Sequence, residues 1–522
     1  MGERLPELTE LELPPGSLAQ LEAAERQWRF WRQDSPATAV VQRSDEACQP
    51  EWDVIIAGAT LGVFVGAALA RQGFRVLLLE RGELRGREQE WNIARQELQS
   101  LRSLELLTPD QLEACIVSEF NPVRVHFDAG PDWWVRDVLN LGVDPVRLLA
   151  ALKQTFLTAG GHLQEQCPFE TVSLHRDGVT VRAGGQSWRG RLLLDAMGHG
   201  SPIARQARNG RKPDALCLVV GSCSQGAGDG DRTSADLMAS FTPIEQGCQY
   251  FWEAFPAREG RTTYLFTYLD PGADAPSPRQ LLSDYLRLLP QYQGWDLSQR
   301  QFQRLLCGVL PSWRRSPLRT PWARVLCIGD SSGLQSPLSF GGFGSLLRHL
   351  PRLVTGLTEA LGRDYLDKPD LDALLPYQPN LAVTWMFQRS MSLRPGESVA
   401  DPQRINRLLV AVFGIMTGLG DRTLKPFLQD VIRWPGLALT LLLAGLRHPL
   451  LVLRLLPVLG IPALVSWSGH FAMLGLYTLL NGLAPLLRPL LAILPPRARY
   501  RWSRRLEGWR YGSGADHSPS RP

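Results

Sequence analysis

Two acidic side chains stand inside runs of aromatic residues, where a carboxyl group can hold and transfer a proton. Glu253 lies in FWEAFP (251–256) and Asp270 ends YLFTYLD (264–270), and both runs are typical of β-strands. Burial among apolar side chains raises the pKa of a carboxyl group, which favours the protonated acid near neutral pH. A buried carboxyl group without a partner is costly, so two structural alternatives stay open. Glu253 can form an ion pair, and Asp270 can cap the turn at the Pro-Gly pair that follows it.

A glycine-rich turn near the start of the chain has the pattern of a dinucleotide-binding site. An apolar strand leads through AGATLG (57–62) into an alanine-rich helix, and a second strand ends at Glu80. Backbone N–H groups of such a turn approach a pyrophosphate at the helix N-terminus, and an acidic residue about 20 positions later binds a ribose hydroxyl. Only Gly62 matches the pattern G-x-G-x-x-G, because Ala57 and Ala59 occupy the other two glycine places. A plain strand–helix–strand unit is therefore the alternative.

Two later segments supply the remaining parts of a flavin site. Asp195 ends a strand and begins the run DAMGHGS, with Gly198 near its centre. Gly329 and Asp330 end another strand, and a glycine-rich loop then leads into a helix near Gly341. A carboxylate at such a strand end can hold a ribityl hydroxyl, and the positive end of the helix favours negative charge on a reduced flavin ring. In this order the motifs resemble those of the p-hydroxybenzoate-hydroxylase-like flavoproteins, so we predict bound FAD.

The predicted cofactor-binding residues come from all three motifs and their neighbours. They are Gly58, Thr60, Leu61, Gly62, Glu80, Arg81, Arg95, Asp195, Gly198, Gly329, Asp330, Pro337, Gly341, Gly342, Phe343 and Gly344. His199 is interpreted as a structural loop histidine beside the cofactor. No metal site is predicted, because the eight cysteines form no C-x-x-C pair and have no histidine cluster nearby. We expect buried thiols in a reducing compartment.

These motifs require an α/β fold in which parallel strands present their carboxyl ends to one cofactor. We predict a Rossmann-like FAD-binding domain over 51–380, with an antiparallel-sheet substrate domain inserted at about 212–310, where aromatic and β-branched runs follow one another. Residues 1–50 are an N-terminal extension that contains one amphipathic helix and a polar linker. Residues 381–522 form a helical, membrane-associating C-terminal region.

That C-terminal region combines apolar runs with positive charge. From Val431 to the end of the chain, eleven arginines stand against Glu507 and Asp516, a net charge of +9, which leaves −4 for the rest. No residue of 455–487 is charged unless His470 is protonated, although prolines interrupt the run. Short apolar helices flanked by arginines favour monotopic insertion into an anionic membrane surface, and a self-packed helical cap is the alternative. The pattern argues against nucleic acid as a partner.

Seven short segments between about 50 and 514 have the form of one family. They are EWNI (90–93), EFNP (119–122), LNLGVDP (139–145), QYFWEAFP (249–256), QSPLSFGGFG (335–344), KPFLQD (425–430) and YGSG (511–514). They resemble the CruA/CruP-type lycopene cyclases of phototrophs, and the chain length is closer to the CruP branch. The resemblance implies FAD, a carotenoid substrate dissolved in lipid, and a peripheral or monotopic location at the cytoplasmic face of a photosynthetic membrane.

Lycopene cyclisation, the reaction that this resemblance implies, begins when a proton is added to an alkene. The carbocation must then be stabilised, as a reduced flavin can do without net redox change, and another proton must leave. Glu253 and Asp270 are the predicted catalytic acids. The aromatic residues proposed to line the polyene cavity by cation–π contact are Trp133, Trp134, Trp252 and Phe255, with core packing as their alternative role.

Two other functions stay open. One is a flavin oxidoreductase, such as a reductase, a desaturase or an epoxide-handling enzyme, acting on a carotenoid or another isoprenoid lipid. NAD(P)H is then the expected electron source, although no separate nicotinamide-binding unit is evident in the sequence. The other is a non-catalytic flavin-bearing membrane protein. The residues leave the oligomeric state open.

Overall fold

A computed structural model describes residues 14–226 and 232–517. Within those ranges the strands are β1 (Val41–Arg43), β2 (Trp52–Ala57), β3 (Val76–Leu79), β4 (Trp91–Ile93), β5 (Ile116–Glu119), β6 (Val123–Phe127), β7 (Trp133–Val135), β8 (Leu141–Val143), β9 (His162–Gln164), β10 (Phe169–Leu174), β11 (Val179–Ala183), β12 (Gln186–Asp195), β13 (Ala215–Gly226), β14 (Ala235–Ser240), β15 (Phe251–Pro256), β16 (Arg261–Leu269), β17 (Arg300–Ser312) and β18 (Val325–Cys327). The helices are α1 (Ser17–Trp31), α2 (Gly62–Arg71), α3 (Gln99–Ser103), α4 (Pro109–Cys115), α5 (Pro145–Thr158), α6 (Pro202–Ala207), α7 (Pro278–Gln293), α8 (Gly342–Arg363), α9 (Lys368–Leu374), α10 (Pro379–Ala382), α11 (Thr384–Ser390), α12 (Arg404–Gly418), α13 (Asp421–Leu428), α14 (Trp434–Arg447), α15 (Pro449–Leu459), α16 (Ile461–Leu487) and α17 (Pro496–Gly512).

The first sheet brings the carboxyl ends of parallel strands to one edge. Strands β9, β3, β2, β12 and β18 are parallel neighbours in that order. The first half of β12 continues into an antiparallel pair, β11 and β10, and β1 joins the outer edge. Helix α2 is apolar around its whole circumference because it is packed between this sheet and helices α5 and α8. This part of the chain has the Rossmann-like form that the sequence predicts.

The second sheet has seven strands in the order β17-β13-β16-β15-β14-β6-β7, and every neighbouring pair except β14–β6 is antiparallel. The predicted insertion at 212–310 contains five of these strands, β13 to β17. Strands β6 and β7 come from 123–135, well before it. They join the sheet because β6 pairs with the free edge of β14, whose backbone N–H and C=O groups would otherwise lack hydrogen-bond partners.

The register of this sheet decides which side chains share a face. Glu253 is opposite Tyr264, and Cys217 is opposite Tyr268. These four side chains face a helical layer that includes α12 and α13. The intervening residues, such as Trp252, face α1 and α7 on the other side. The two sides are called here the α12 face and the α7 face.

The two ends of the chain pack differently from one another. The predicted N-terminal helix is α1, and it lies against β17 and α7 through buried side chains that include Leu21 and Trp28. The C-terminal region is helical, as predicted. Within the described residues, α16 is long and apolar enough to cross a membrane, and α14 and α15 pass the same test only as a pair bent by 113°.

Candidate flavin and substrate site

The first glycine motif is held tightly against the second one. Gly58 has a φ of +95°, and a Cβ there would lie 2.5 Å from the Ala196 carbonyl oxygen. A Cβ at Gly62 would contact the Ile56 side chain within 2.8 Å, because α2 lies directly on the sheet. Glycine is therefore required at these two positions, whereas Ala57 and Ala59 are buried without such a conflict. This explains why the chain departs from the common pattern at two of the three glycine places.

Glu80 lies at the end of β3 and closes the turn. One of its carboxylate oxygens accepts a hydrogen bond from the Ala59 backbone N–H at 2.9 Å, and the other accepts one from Gly82 at 3.1 Å. Thr60 and Arg81 are exposed beside it, and Leu61 is the N-cap residue of α2. The structure thus places the predicted acidic residue next to the turn at the helix N-terminus.

The second and third motifs also meet at this edge of the sheet. The Asp195 carboxylate is fully buried and accepts hydrogen bonds from the Ser201 hydroxyl at 2.5 Å and the Met197 N–H at 3.0 Å. Its backbone carbonyl accepts a bond from the Ser331 hydroxyl at 2.6 Å. A Cβ at Gly329 would lie 3.1 Å from the Leu61 side chain. Asp195 therefore joins two motifs from inside the protein, and its carboxylate is not accessible to a ligand.

Asp330 has the geometry expected of a ribityl ligand. Its Oδ1 atom is buried and accepts no hydrogen bond from the described residues. A Cβ at Gly342 would lie 2.0 Å from that atom, so only glycine lets the carboxylate approach the start of α8. The Nε2 atom of His199 is 3.9 Å from Oδ2. A buried, unsatisfied acceptor in a cradle of backbone calls for a hydroxyl donor, and the ribityl chain of FAD fits that need.

A cavity adjoins this carboxylate. It is narrow and is lined by Gly329, Asp330, Gln335 and Gly342, among others. Both polar side-chain atoms of Gln335 lack hydrogen-bond partners among the described residues. Unsatisfied polar groups therefore lie beside the place expected for the cofactor.

The other predicted cofactor residues take different positions. Pro337 is buried, Gly198 has open space beside it, and Gly341 and Gly344 lie at the start of α8. The Phe343 ring packs in the core against Trp91, with ring centres 4.6 Å apart, so only its backbone is available to a ligand. Arg95 forms exposed ion pairs with Glu113 at 2.6 Å and Glu119 at 3.0 Å. Its predicted cofactor contact would require those pairs to open.

Glu253 lies in the middle of the α12 face. Phe251 and Phe266 stand on the same face, and the described residues form no hydrogen bond or ion pair with the Glu253 carboxyl group. Burial, together with the negative charge of Asp430, raises the pKa of Glu253 to about 8. The side chain is still partly accessible, as expected for a group that lines an enclosed space. Glu253 is therefore a protonated acid at neutral pH.

Asp270 has a different environment although it follows the same sheet. Its Oδ1 atom accepts a hydrogen bond from the Gly272 N–H at 2.9 Å, and its carbonyl accepts one from Ala273 at 2.9 Å. This is the turn cap that the sequence left open as its structural role. Its catalytic role stays a prediction.

The four aromatic candidates separate by face. Phe255 lies on the α12 face, where its ring is 5.8 Å from that of Phe120. Trp133 is in the core of the same face, and Trp134 is 52% exposed. Trp252 lies on the α7 face, so it does not share a cavity with Glu253. Successive side chains along β15 point to opposite faces of the sheet, so Trp252 and Glu253 are on different sides although they are adjacent in sequence.

Two further carboxyl groups were not selected by the sequence patterns. Glu97 lies beside the start of α8, where its Oε1 atom would be 3.6 Å from a Cβ at Gly344, and burial raises its pKa to about 7. Asp430 follows α13, and burial raises its pKa as well. Arg348 faces both, but it already forms bonds of 2.6 and 2.7 Å with Asp516. The only sequence signal for either residue is that Asp430 ends the segment KPFLQD. The two residues come together through the packing of distant parts of the chain, which local patterns do not show.

Solved structures share this architecture. The geranylgeranyl bacteriochlorophyll reductase-like protein from Thermoplasma acidophilum aligns with a TM-score of 0.54 at 14% identity, over 80% of this chain and 100% of that one. Halogenase PltM, in complex with phloroglucinol and FAD, aligns with a TM-score of 0.52 at 15% identity, over 90% of this chain and 97% of that one. No protein-family model matches the chain, and no curated protein matches it. The likeness shows the fold of FAD-dependent oxidoreductases, which confirms the predicted fold class.

Proposed function

We propose that the protein is an FAD-dependent enzyme that protonates an apolar isoprenoid substrate. The observation that carries this proposal is Glu253, an unpaired acid whose pKa is about 8 and which lies among aromatic side chains. Leu338 and Phe340, from the loop that precedes α8, pack against the same aromatic cluster. The predicted flavin loop and the acid therefore adjoin the same aromatic cluster, as a reaction beside the flavin would require.

The reaction that these groups support best is cyclisation of a lycopene end group. The turn at 57–62, Glu80 and Asp330 would hold FAD, and a reduced flavin supplies negative charge that stabilises a nearby carbocation. Glu253 would donate its proton to a terminal alkene in a setting from which the aromatic wall excludes most water. Phe251 and Phe266 would stabilise the cation through their ring faces. The resemblance to CruA/CruP-type cyclases supports this choice.

Membrane association is part of the same proposal. Helices α14, α15 and α16 pack against one another, yet each leaves leucine-rich surface exposed. The exposed residues are Leu439, Leu442, Leu446, Leu450, Leu453, Leu456, Ile461, Val465, Leu476, Leu479, Leu483 and Leu486. A soluble monomer rarely exposes so much apolar surface, whereas a lipid surface would cover it. With arginines at 447, 454 and 488, the helices are expected to lie in an anionic leaflet, as a monotopic contact on the cytoplasmic side.

The pigment profile of a lycopene-accumulating bacterial host tests the activity. Expression of the chain should convert lycopene to a monocyclic or bicyclic carotene, and the purified protein should carry the yellow absorbance of FAD. Unchanged lycopene, with a folded and FAD-loaded protein, would contradict the cyclase proposal. Alkaline carbonate extraction of the same cells separates a protein inserted into the membrane, which stays in the pellet, from one with a self-packed soluble helical cap, which is released.

A second candidate is an oxidoreductase acting on an isoprenoid. It is favoured by one finding, the likeness of the fold to a geranylgeranyl bacteriochlorophyll reductase-like protein. Such a reaction consumes NAD(P)H or oxygen in proportion to product, whereas cyclisation consumes neither. Measurement of NAD(P)H oxidation during turnover therefore distinguishes the two functions.

A further inference from the structure

A second carboxyl group borders the space that Glu253 faces. Asp430 follows the last turn of α13, and its neighbours Phe427 and Leu428 pack against the aromatic cluster that holds Glu253. Its negative charge contributes to the raised pKa of Glu253, and also to that of Tyr268 on the neighbouring strand. Asp430 thus reaches the α12 face from the helical layer, and Glu253 reaches it from the sheet.

Burial desolvates both carboxyl groups, but their neighbours differ. Glu253 has aromatic and apolar neighbours, which favour its neutral acid form. Asp430 lies beside the Ser336 and Ser339 hydroxyls and faces the positive charge of Arg348; burial raises the pKa of Asp430, and these three neighbours oppose that rise. Both serines belong to the loop that leads to the predicted flavin-binding helix. Of the two, only Asp430 has serine hydroxyl groups and a cation beside it among the described residues, and such neighbours stabilise a carboxylate that accepts a proton from a carbocation.

The backbone of Asp430 adds a second, independent observation. Its φ of +59° lies in the left-handed region, which a non-glycine residue adopts at a cost and which clusters at functional sites. The bond from the Val431 N–H to the Pro426 carbonyl, at 2.8 Å, holds this turn. The turn directs the carboxylate toward the loop serines. Asparagine adopts this conformation as readily as aspartate, so an Asp430→Asn variant removes the charge and keeps the turn.

We propose that Asp430 is the proton acceptor that completes the reaction begun by Glu253, an inference that rests on the proposed function. Glu253 gives its proton to the terminal C=C bond of an acyclic polyene, whose π electrons form the new C–H bond and leave a tertiary cation. The π electrons of the next C=C bond then form the C–C bond of the ring, which moves the cation to a ring carbon.

An adjacent C–H bond then breaks, its electron pair forms the ring C=C bond, and its proton passes to Asp430. One proton enters the hydrocarbon and one leaves, so the product is an isomer and no electrons are exchanged. Both carboxyl groups then return to their starting states by proton exchange with water, in which Glu253 gains a proton and Asp430 loses one. The pair therefore needs no further acid or base from the protein.

Turnover in deuterium oxide tests this division of roles, with the FAD-loaded full chain and lycopene in phosphatidylglycerol-containing vesicles. The wild type should place solvent deuterium in each ring that it forms. Asp430→Asn should form at least about tenfold less ring product, yet return acyclic substrate that contains deuterium, because Glu253 still protonates it and the cation reverts. Glu253→Gln should give neither product nor exchange. Asp421→Asn, which removes an exposed carboxylate at the start of α13, is the matched control and should behave as the wild type.

The outcomes are distinguishable. Wild-type product yield from Asp430→Asn would overturn the role of Asp430 and leave the cyclase function intact. Loss of both ring product and exchange in Asp430→Asn, with FAD retained, would also overturn it, since the variant would then lack protonation rather than deprotonation. Absence of ring product and exchange in the wild type would overturn the proposed function and this inference together. Flavin absorbance and the thermal unfolding midpoint of each variant show that the protein compared is folded.

Discussion

The two faces of the seven-stranded sheet hold carboxyl groups in opposite ways. On the α7 face, Asp236 accepts bonds from Arg124 at 2.7 and 2.9 Å and from Tyr292 at 2.5 Å. Asp284 accepts one from Tyr250 at 2.7 Å and is paired with an arginine at 2.9 Å. On the α12 face, Glu253 has no such partner among the described residues. The carboxylates of the α7 face therefore stabilise the packing of α7, whereas the acid of the α12 face stays available for a proton.

The difference follows from the free energy of burial. An ionised carboxylate inside a protein is tolerated only with a cation or several donors, and a carboxyl group without them is protonated instead. On the α7 face the carboxylates have such partners, which hold the helix against the sheet. On the α12 face the proposed substrate is a neutral hydrocarbon, and the protonated carboxyl group is itself the proposed reagent.

The largest expected effect is on turnover. Glu253→Gln keeps the shape of the side chain but removes the transferable proton, so ring formation should fall about 100-fold or more. Pigment analysis in the lycopene-accumulating host measures it, and flavin absorbance of the purified variant should be unchanged. Glu259→Gln, an exposed carboxyl group at the end of the same hairpin, is the control. Unimpaired cyclisation by Glu253→Gln would show that the acid of the α12 face has no catalytic role.

The next effect is on the pH dependence of stability. Glu253 ionises near pH 4.5 in the unfolded chain and near 8 in the folded protein, so between these values only the folded state keeps the proton. The stability that this group contributes is complete below about pH 4.5 and is lost as the pH rises to 8, by up to about 5 kcal/mol. Urea unfolding at several pH values should show a smaller decline in Glu253→Gln. If the free energy of unfolding had the same pH dependence in the wild type and in Glu253→Gln, the Glu253 side chain would be solvated and not buried.

A smaller effect is expected on the α7 face. Asp236→Asn leaves Arg124 and Tyr292 with a neutral partner, so the free energy of unfolding should fall by about 2 kcal/mol at neutral pH. The same measurement on Glu253→Gln should show no loss of stability, since its carboxyl group has no partner to leave unpaired. If the two substitutions destabilised the protein equally, the proposed contrast between the faces would be false.

The smallest effect is expected at Asp270. Asparagine can accept the hydrogen bond from Gly272 as aspartate does, so Asp270→Asn should change turnover less than about twofold. Carotene yield relative to the amount of FAD-loaded protein is the appropriate measurement. A loss of carotene yield as large as that of Glu253→Gln would show that Asp270 is a catalytic acid, as the sequence predicts.

The order of the three flavin motifs, the sheet class of the central strands and the helical C-terminal region were all predictable from the sequence. Each depends on neighbouring residues: a turn needs glycine where a Cβ would strike the adjacent strand, and a parallel strand buried on both faces is apolar throughout. Gly58, Gly62 and Glu80 are accordingly found at one turn, as predicted. Local patterns also indicated that Glu253 lies on an aromatic strand.

The pairing of side chains required the tertiary structure. Alternation along β15 is a local property, but which face meets the flavin loop and which meets α7 depends on strands and helices far away in the chain. For that reason Trp252 and Glu253 are neighbours in sequence and lie on opposite sides of the sheet. For the same reason the Asp195 carboxylate is satisfied internally, whereas Oδ1 of Asp330 has no hydrogen-bond partner among the described residues, although Asp195 ends one strand and Asp330 closely follows another. The sequence by itself determined which groups are present and on which elements, while long-range packing decided which of them are desolvated, paired or left free to react.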